Sequence, residues 1–565
     1  MLSARSYRCL GCALLLIAAS ARAGAQGAQA TSAAAAQQGD LKNQQYEQQQ
    51  RQLQSKKNPT QPQIAAPGAA AAPAPGAGGA SFELDHFEVS SSSVLSASQI
   101  QRALAPYEHR RVHFADLERA VAALNALYQQ EGMITARAVL PRQQVAGGVV
   151  RIELIEARLD QVRIIGARST APDFFRARIH AQPGALLRLP QLQRDLILIN
   201  SGNDVQARAV LEPGRSFGTT NLVVTVQEPE NVSLTPSYDN IGRDNIGLRR
   251  LGLTLRDDST FGERDAFTAN ASWATGTVST SGAYSLPLDA EGLRMSLSAD
   301  YAGIRILNGQ LKTLGVRGHS TDFSLGLTQP MVVRSGFVLN ETSAFDVMQS
   351  ITTSNGFGIS NQTVFAGELG ANLQWFDAQG VWIASDGIAL GNANLPAGRS
   401  FGRESAALTR EENFGGDFSG ILRFSGQTRL FAARTGLPLV EQLQLGGLST
   451  VRGYPEGWQI ADTGYALTNE FDYPLPLRQY FFGGAFSRGL KGALFADHGG
   501  VFGAAGPQRR LYLTSIGTGV IFNSPWLSGR LDWARPLENR EGLPKVGFDF
   551  YLQPRVGLGW LGHRE

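Results

Sequence analysis

Arg452 and Asp497 are the residues of this sequence best suited to one specific charged contact. The arginine stands in Val451-Arg452-Gly453-Tyr454 and the aspartate in Phe495-Ala496-Asp497-His498-Gly499. A guanidinium offers a planar fork of donors that fits a carboxylate in bidentate fashion, and glycine beside it lets the backbone turn sharply. The chemistry on offer is a latch and not a reaction. Along the strand from Phe486 the apolar phase is Phe486, Leu490 and Leu494, while Ser487, Lys491, Phe495 and Asp497 share the opposite phase, so Asp497 faces the wet side. In a partly wet setting the pair is expected to contribute only about 1 kcal/mol, enough to position a segment but not to hold up a fold. On the residues alone, the plainer reading is preferred: an ordinary hairpin arginine and a turn aspartate in Asp497-His498-Gly499-Gly500.

Signatures of catalysis are missing. His86, His109 and His113 fall in one stretch, but no pair of them shares a helical face with a carboxylate as in a zinc protease, and they read as surface residues. There is no phosphate-binding loop and no glycine-framed nucleophilic serine after a strand. Both cysteines, Cys9 and Cys12, lie in an N-terminal leader. No cofactor or metal is expected, and the chain does not read as an enzyme.

The elements around the charged pair alternate apolar and polar residues over long stretches. At the C-terminal end Val546, Phe548, Phe550, Leu552, Pro554, Val556, Leu558 and Trp560 share one phase. The same phase recurs in Leu293, Met295, Leu297, Ala299, Tyr301 and in Phe323, Leu325, Leu327. Soluble strands average about 5 to 6 residues, whereas tilted membrane-spanning strands need about 9 to 11, so a two-residue period this long favours a membrane barrel. Composition agrees: 64 glycines and 43% hydrophobic residues suit many turns and twisted strands. No apolar run reaches the roughly 20 residues of a transmembrane helix. The net charge of +3 is too small to argue for nucleic acid. From Asn231 onward, fifteen to seventeen strand-like segments alternate with Gly, Asn, Asp and Pro.

Ahead of that region the composition changes several times. Arg5 and Arg8, an apolar stretch Leu10 to Ala19 and Ala21-Arg22-Ala23 read as a signal peptide over 1–25. Residues 26–80 are rich in Ala, Gln, Pro and Gly; within them 41–56 lacks Gly and Pro and is a candidate polar helix, and 59–80 is an extended tether. Two successive β-α-α-β-β units follow, at 82–156 and 158–229, and residues 230–565 form the barrel. In the first unit Phe114, Leu117, Val121, Leu124 and Leu127 line one helical face, and Val150, Ile152 and Leu154 point inward from a strand. In the second, Leu189, Leu192, Leu196 and Ile199 do the helical work. A unit of this order leaves a strand edge open beside a helix, where an extended guest can add by backbone hydrogen bonds. Nothing in the sequence says which edge is used.

The unit order resembles the polypeptide-transport-associated, or POTRA, domain. Nearly all of the mature chain resembles the outer-membrane transporters of two-partner secretion, a branch of the Omp85 superfamily. Four segments carry the resemblance in family order: Asp239-Asn240-Ile241-Gly242 at the first barrel strand, Tyr284-Ser285-Leu286-Pro287-Leu288, Gly446-Gly447-Leu448-Ser449-Thr450 running into Val451-Arg452-Gly453-Tyr454, and Phe495-Ala496-Asp497-His498-Gly499. The resemblance implies an all-β transmembrane barrel of about sixteen antiparallel strands, two small α+β POTRA domains, and an N-terminal helix with a linker that plugs the lumen. It further implies a loop folded into the barrel that carries Arg452, a lumen wall carrying Phe495, Asp497 and Gly499, and a first-strand motif of Asp239, Asn240 and Gly242. The implied function is export of an unfolded secreted exoprotein (an adhesin, haemolysin, contact-dependent toxin or haem-binding partner) without nucleotide, the periplasmic modules capturing it first. Outer-membrane lipid and the barrel assembly machinery are the other implied partners, and the chain is expected to be a monomer. An assembly factor for other barrels and a passive porin are the alternatives, the count of two POTRA-like units opposing the first. Two features depart from the pattern: Leu561-Gly562-His563-Arg564-Glu565 follows Trp560, and Pro554 interrupts the final strand, where a bulge or a weak seam is expected.

Overall fold

The computed structural model describes residues 64–65, 81–309, 311–394, 400–432, 436–475, 489–502, 510–524, 527–538, 546–554 and 556–557. The leader, the helix expected over 41–56, most of the tether, Phe486 and Ser487, and the strand end at Leu558 and Trp560 lie outside the described residues. The chain forms two compact units, one centred on residues 58–229 and the other on 230–565.

The first unit opens with a two-residue strand, β1 (Ile64–Ala65), and then repeats one plan twice. The first module comprises β2 (Phe82–Leu84), β3 (His86–Val89), α1 (Ala97–Leu104), β4 (Arg110–Val112), α2 (Phe114–Gln130), β5 (Ala136–Val139) and β6 (Val149–Glu156). Helix α1 starts at a capping box: the Ser96 hydroxyl accepts from the Gln99 N–H, and the Gln99 side chain accepts from the Ser96 N–H. On α2, Leu117 and Leu124 are buried, with Val121 and Leu127 packed against the same core. Phe114, expected on that face, is 52% exposed; periodicity sets an angle around the helix axis, not how far the core extends along it. Alternation on β6 buries Val150, Ile152 and Leu154.

The second module comprises β7 (Arg158–Ile165), α3 (Pro172–Ala177), α4 (Leu189–Gly202), β8 (Gln206–Pro213) and β9 (Thr219–Gln227). Leu192, Leu196 and Ile199 of α4 are buried in its core with Phe174 and Phe175 of α3. Its sheet runs β1-β8-β9-β7, and the outermost strand comes from the tether: Ile64 lies parallel to Ala209, and its side chain packs on the core. Two residues are too few to show a period, so the sequence read this segment as tether alone.

The second unit is a closed antiparallel barrel of sixteen strands among the described residues. They are β10 (Val232–Asp239), β11 (Arg250–Asp257), β12 (Ala266–Ala274), β13 (Thr277–Pro287), β14 (Arg294–Arg305), β15 (Arg317–Arg334), β16 (Phe337–Ser354), β17 (Phe357–Phe376), β18 (Gly380–Ala393), β19 (Ser400–Gly415), β20 (Phe418–Phe431), β23 (Thr463–Pro474), β24 (Leu490–Phe502), β25 (Arg510–Asn523), β26 (Leu527–Pro536) and β27 (Gly547–Pro554), the last continued by β28 (Val556–Gly557). Between β20 and β23 the chain inserts a small hairpin, β21 (Leu443–Leu445) with β22 (Gln459–Ala461). The outward phase is the one the sequence marks: Leu297, Tyr301, Phe323, Leu325, Leu327 and Leu494 are exposed on the outer wall, whereas Phe495 and Asp497 are buried inside.

Closure joins the first strand to the last. Tyr238 pairs with Leu552 and Asp239 with Tyr551; Ser233 pairs with Gly557 and Leu234 with Val556. All four pairs share one register, whose midpoint sets Pro236 opposite Pro554. The Asn240 N–H donates to the Phe550 carbonyl across the seam, so by two-residue alternation positions 236 and 554 are also ones that would bond across it. Both are prolines, and this rung has no N–H from either side. The rung at Pro554, where the sequence leads one to expect a bulge or a weak seam, is thus a facing pair of prolines.

Candidate functional site

Residues 436–462, between β20 and β23, fold into the barrel and carry the tip of the loop onto the inner wall. Its hairpin and tip share a buried cluster with the wall: Leu445, Val451, Tyr454 and Ala461 against Ala466, Val501, Leu511 and Leu513. Val451 is therefore an apolar anchor for the tip.

Arg452 is 4% exposed and Asp497 1%. The guanidinium sets Nε 2.7 Å from Oδ2 and Nη2 2.8 Å from Oδ1 of Asp497, and the Arg452 backbone N–H donates to the same carboxylate at 3.0 Å. The remaining nitrogen, Nη1, donates to Glu470 on β23 at 2.6 Å. Beneath, the Phe495 ring lies 3.5 Å from the guanidinium carbon, close enough for a cation–π contact. Arg530 on β26 closes the network, donating twice to Glu470 and once to Asp532, each at 2.7 Å. Burial opposes the charge on Arg452, but the bonds and charge of Asp497 outweigh it and hold the guanidinium above its ordinary value.

This corrects the expectation of a weak, half-wet pair. Arg452 is buried with three carboxylates (Asp497, Glu470 and Asp532), Arg530 standing partly exposed at the edge of the group, and removing one member of a buried pair costs about 3 to 5 kcal/mol. The sequence reading did not single out Glu470, Arg530 or Asp532. What gathers them is the inward loop, which brings one cation against several strands at once.

The neighbouring motif residues make room. Gly453 has φ +86°, and a Cβ there would lie 2.9 Å from the Ala534 carbonyl oxygen. Gly547 at the start of β27 is equally close to the tip, its would-be Cβ 2.6 Å from the Gly453 Cα. Tyr454 donates its hydroxyl to the Thr514 carbonyl on β25 at 2.9 Å. On the wall, Gly499 gives clearance to Leu445, whose Cδ1 lies 2.5 Å from a Cβ placed there. Gly517 on β25 does the same for the Phe495 ring, at 2.3 Å. His498, the remaining polar residue of the segment, bonds Tyr465 and Thr514 instead.

The first-strand motif organises the barrel's opening hairpin and its seam. Asp239 accepts from the Ile241 N–H and from both Nε and Nη2 of Arg250, a pair only 3% exposed on either side. The Asn240 side chain reaches across the seam, donating to the Phe548 carbonyl at 2.6 Å and accepting from the Phe550 N–H at 2.7 Å. A Cβ on Gly242 would lie 2.0 Å from the Gly247 carbonyl, so only glycine fits that turn. Arg243 then donates to Gln444 of the inward loop. A cleft of about 900 Å³ lies between this hairpin, the loop tip and β27, lined by Asn240, Arg243, Tyr454, Glu456, Trp458 and Phe548. The segment 284–288 serves the opposite end of the barrel: the Tyr284 hydroxyl donates to the fully buried Asp265 in the β11–β12 turn. His86, His109 and His113 are exposed in the first module, beside Asp85 and Asp116.

Residues 218–522 match the family model described as haemolysin secretion/activation protein ShlB/FhaC/HecB, and residues 82–157 match the ShlB-type POTRA domain. Among curated relatives, the heme/hemopexin transporter protein HuxB of Haemophilus influenzae (strain 86-028NP) is 25% identical over 477 residues, covering 78% of this chain and 81% of its own. The hemolysin transporter protein HpmB of Proteus mirabilis is 25% identical over 406 residues, covering 67% and 70%. Among solved structures, CdiB from Escherichia coli superimposes with a TM-score of 0.67 at 19% identity, covering 95% of this chain and 98% of that one.

Proposed function

Because the chain belongs to the haemolysin secretion/activation family of ShlB/FhaC/HecB type, we propose how its parts divide that family's work. The protein is an outer-membrane translocator of two-partner secretion, with its POTRA modules in the periplasm and its barrel as the route for an exoprotein that crosses without nucleotide hydrolysis. Residues 82–156 and 158–229 act as two POTRA modules, 230–565 as the pore, 1–25 as the export signal and 41–56 as the lumen plug. The chain performs no catalysis; folding of the partner outside the cell makes backward movement unfavourable. The partner is an adhesin, haemolysin, toxin or haem-binding protein. The translocator works as a monomer, its outer wall in lipid, after insertion by the barrel assembly machinery.

Recognition of an unfolded partner is assigned to the β8 edge, where residues 64–65 supply a short strand. Backbone hydrogen bonds there are indifferent to guest sequence, as a transporter of an unfolded chain requires. The passage itself is governed by the inward loop. The observation that carries this is the bidentate bond of Arg452 to Asp497, buried in the lumen wall. Undocking that tip removes an obstacle from the pore, and re-docking restores the closed state.

The experiment is co-expression with a candidate large secreted exoprotein from the same genome, comparing the native form with Arg452→Ala and Asp497→Ala and checking barrel levels by heat-modifiability. Secretion by the native form, lost in both variants at normal barrel levels, supports the reading. Export undiminished in both variants removes the latch from the mechanism. No export by the native form, with other outer-membrane barrels depleted when it is deleted, replaces the reading by that of an assembly factor.

A further inference from the structure

One side chain does the same job in both POTRA modules. Asn125 is the twelfth residue of α2, and its amide takes both backbone groups of Ala138 on β5: Oδ1 accepts the N–H at 2.8 Å and Nδ2 donates to the carbonyl at 3.3 Å. Asn200 is the twelfth residue of α4, and it treats Ala207 on β8 in the same way, at 2.6 and 3.2 Å. Asparagine is a poor helix former, so its place in both helices needs another reason. A carboxamide that accepts from an N–H and donates to the neighbouring carbonyl offers what one rung of a β-ladder offers. Each asparagine therefore stands in for a strand on an edge that a guest would use.

The consequence differs between the modules because the strands differ in length. On β8 the Gly214 N–H bonds to Thr219 of β9, so even-numbered residues face β9 and odd-numbered ones face outward. Past Ala207, Ala209 and Leu211 remain within β8 to bond a newcomer, and Pro213 keeps a carbonyl only. Ile64 sits opposite Ala209, at the first rung that Asn200 leaves free. On β5 the Thr135 carbonyl accepts from Ala157, so Ala136, Ala138 and Leu140 face outward. The strand ends at Val139, and beyond the capped rung nothing of it is left in that direction.

We propose that Asn125 and Asn200 are positioning residues that act as strand stops: Asn200 sets the register at which an extended chain joins β8, starting at Ala209, and Asn125 closes the β5 edge of the first module to such additions. This rests on the assignment of partner recognition to the β8 edge. The extended segment already present in the chain is the probe, so the test needs no knowledge of the exported partner.

The only cysteines of the sequence, Cys9 and Cys12, lie in the leader, so engineered pairs report cleanly. Ile64→Cys is combined with Ala209→Cys or with Ala207→Cys in the full-length protein in its membrane, and oxidised mildly. Positions 207 and 209 are buried alanines on the same core face, where a cysteine fits with little disturbance. With Asn200 present the 64–209 crosslink is expected and the 64–207 crosslink is not. In Asn200→Ala the freed rung lets the segment slide by two residues, and a 64–207 crosslink appears. Asn200→Asp keeps the acceptor but loses the donor, and guards against misfolding; it should give the same new crosslink more weakly, with protease resistance of the modules unchanged. A crosslink confined to 64–209 in both variants overturns the stop. Absence of the 64–209 crosslink in the chain with Asn200 overturns the assignment of the β8 edge itself, and the proposal with it.

Discussion

Replacing Arg452 by alanine should release the inward loop. The substitution deletes two bonds to Asp497, one to Glu470 and the contact with the Phe495 ring, and leaves Asp497 buried without its cation. Breaking a buried pair from one side costs about 3 to 5 kcal/mol, and each 1.4 kcal/mol is a factor of ten. If the tip docks and undocks as a unit, its open population should rise between about a hundredfold and a few thousandfold. Amide hydrogen exchange at residues 451–454 reads this directly, because the 452 N–H is bonded to Asp497 only when the tip is docked. Arg452→Lys keeps the charge but loses the fork; at about 1.5 to 3 kcal/mol for charged hydrogen bonds, it should fall at the lower end of that range. Glu470 retains Arg530 in either variant, so the barrel should assemble normally. Exchange within threefold of native in Arg452→Ala would falsify the view that this network, and not the apolar cluster around Val451, holds the tip.

Three further outcomes follow from the geometry. Gly453→Ala meets the Ala534 carbonyl at a left-handed φ and should cost about 1 to 2 kcal/mol in loop docking, seen as roughly tenfold faster exchange at the tip with Arg452 intact. Restoring N–H groups at the seam with Pro236→Thr and Pro554→Thr should add up to two ladder bonds, each worth about 0.5 to 1.5 kcal/mol, and slow exchange at Leu234 and Tyr238; unchanged rates there would mean that the prolines do not weaken closure. Burial alone would raise the Glu156 carboxyl, but bonds from Ser92, Ser93 and Tyr128 outweigh it and hold it below its ordinary 4.5. A depressed folded-state value means the contribution to stability is present above pH 4.5 and is lost as the pH falls below it. Thermal melts of the full chain should therefore show the first module weakening below that pH, and Glu156→Gln should abolish that part of the acid dependence.

Much of the site was legible in the residues. Two-residue alternation put Asp497 on the inner wall and Leu494 on the outer one, and the structure agrees. Arg452 and Asp497 were paired on their chemistry and their resemblance to family motifs, and they do pair. The energy of that pair was not legible: the expected 1 kcal/mol belongs to a solvated contact, whereas the docked loop, anchored by Val451 and Tyr454 against Leu511 and Leu513, leaves both partners buried. Phe114 failed for a related reason, since spacing along a helix cannot show where the core stops. The strand at residues 64–65 escaped because two residues carry no period and depend on a preformed edge for their bonds.

What the sequence determined by itself was therefore what repetition and local chemistry carry: the barrel from a period of two, the paired α+β modules from periods that switch in order, and the inward facing of Asp497 opposite the outward Leu494. Those properties depend on a residue and its near neighbours in the chain. Only the tertiary structure decided that Arg530 and Asp532 join Glu470 and Asp497 around one arginine, that Pro236 meets Pro554 at the seam, and that Asn125 and Asn200 occupy strand edges. Each of these joins residues whose separation in the chain says nothing of their distance. Closure of a barrel or packing of a helix on a sheet is what brings them within bonding range.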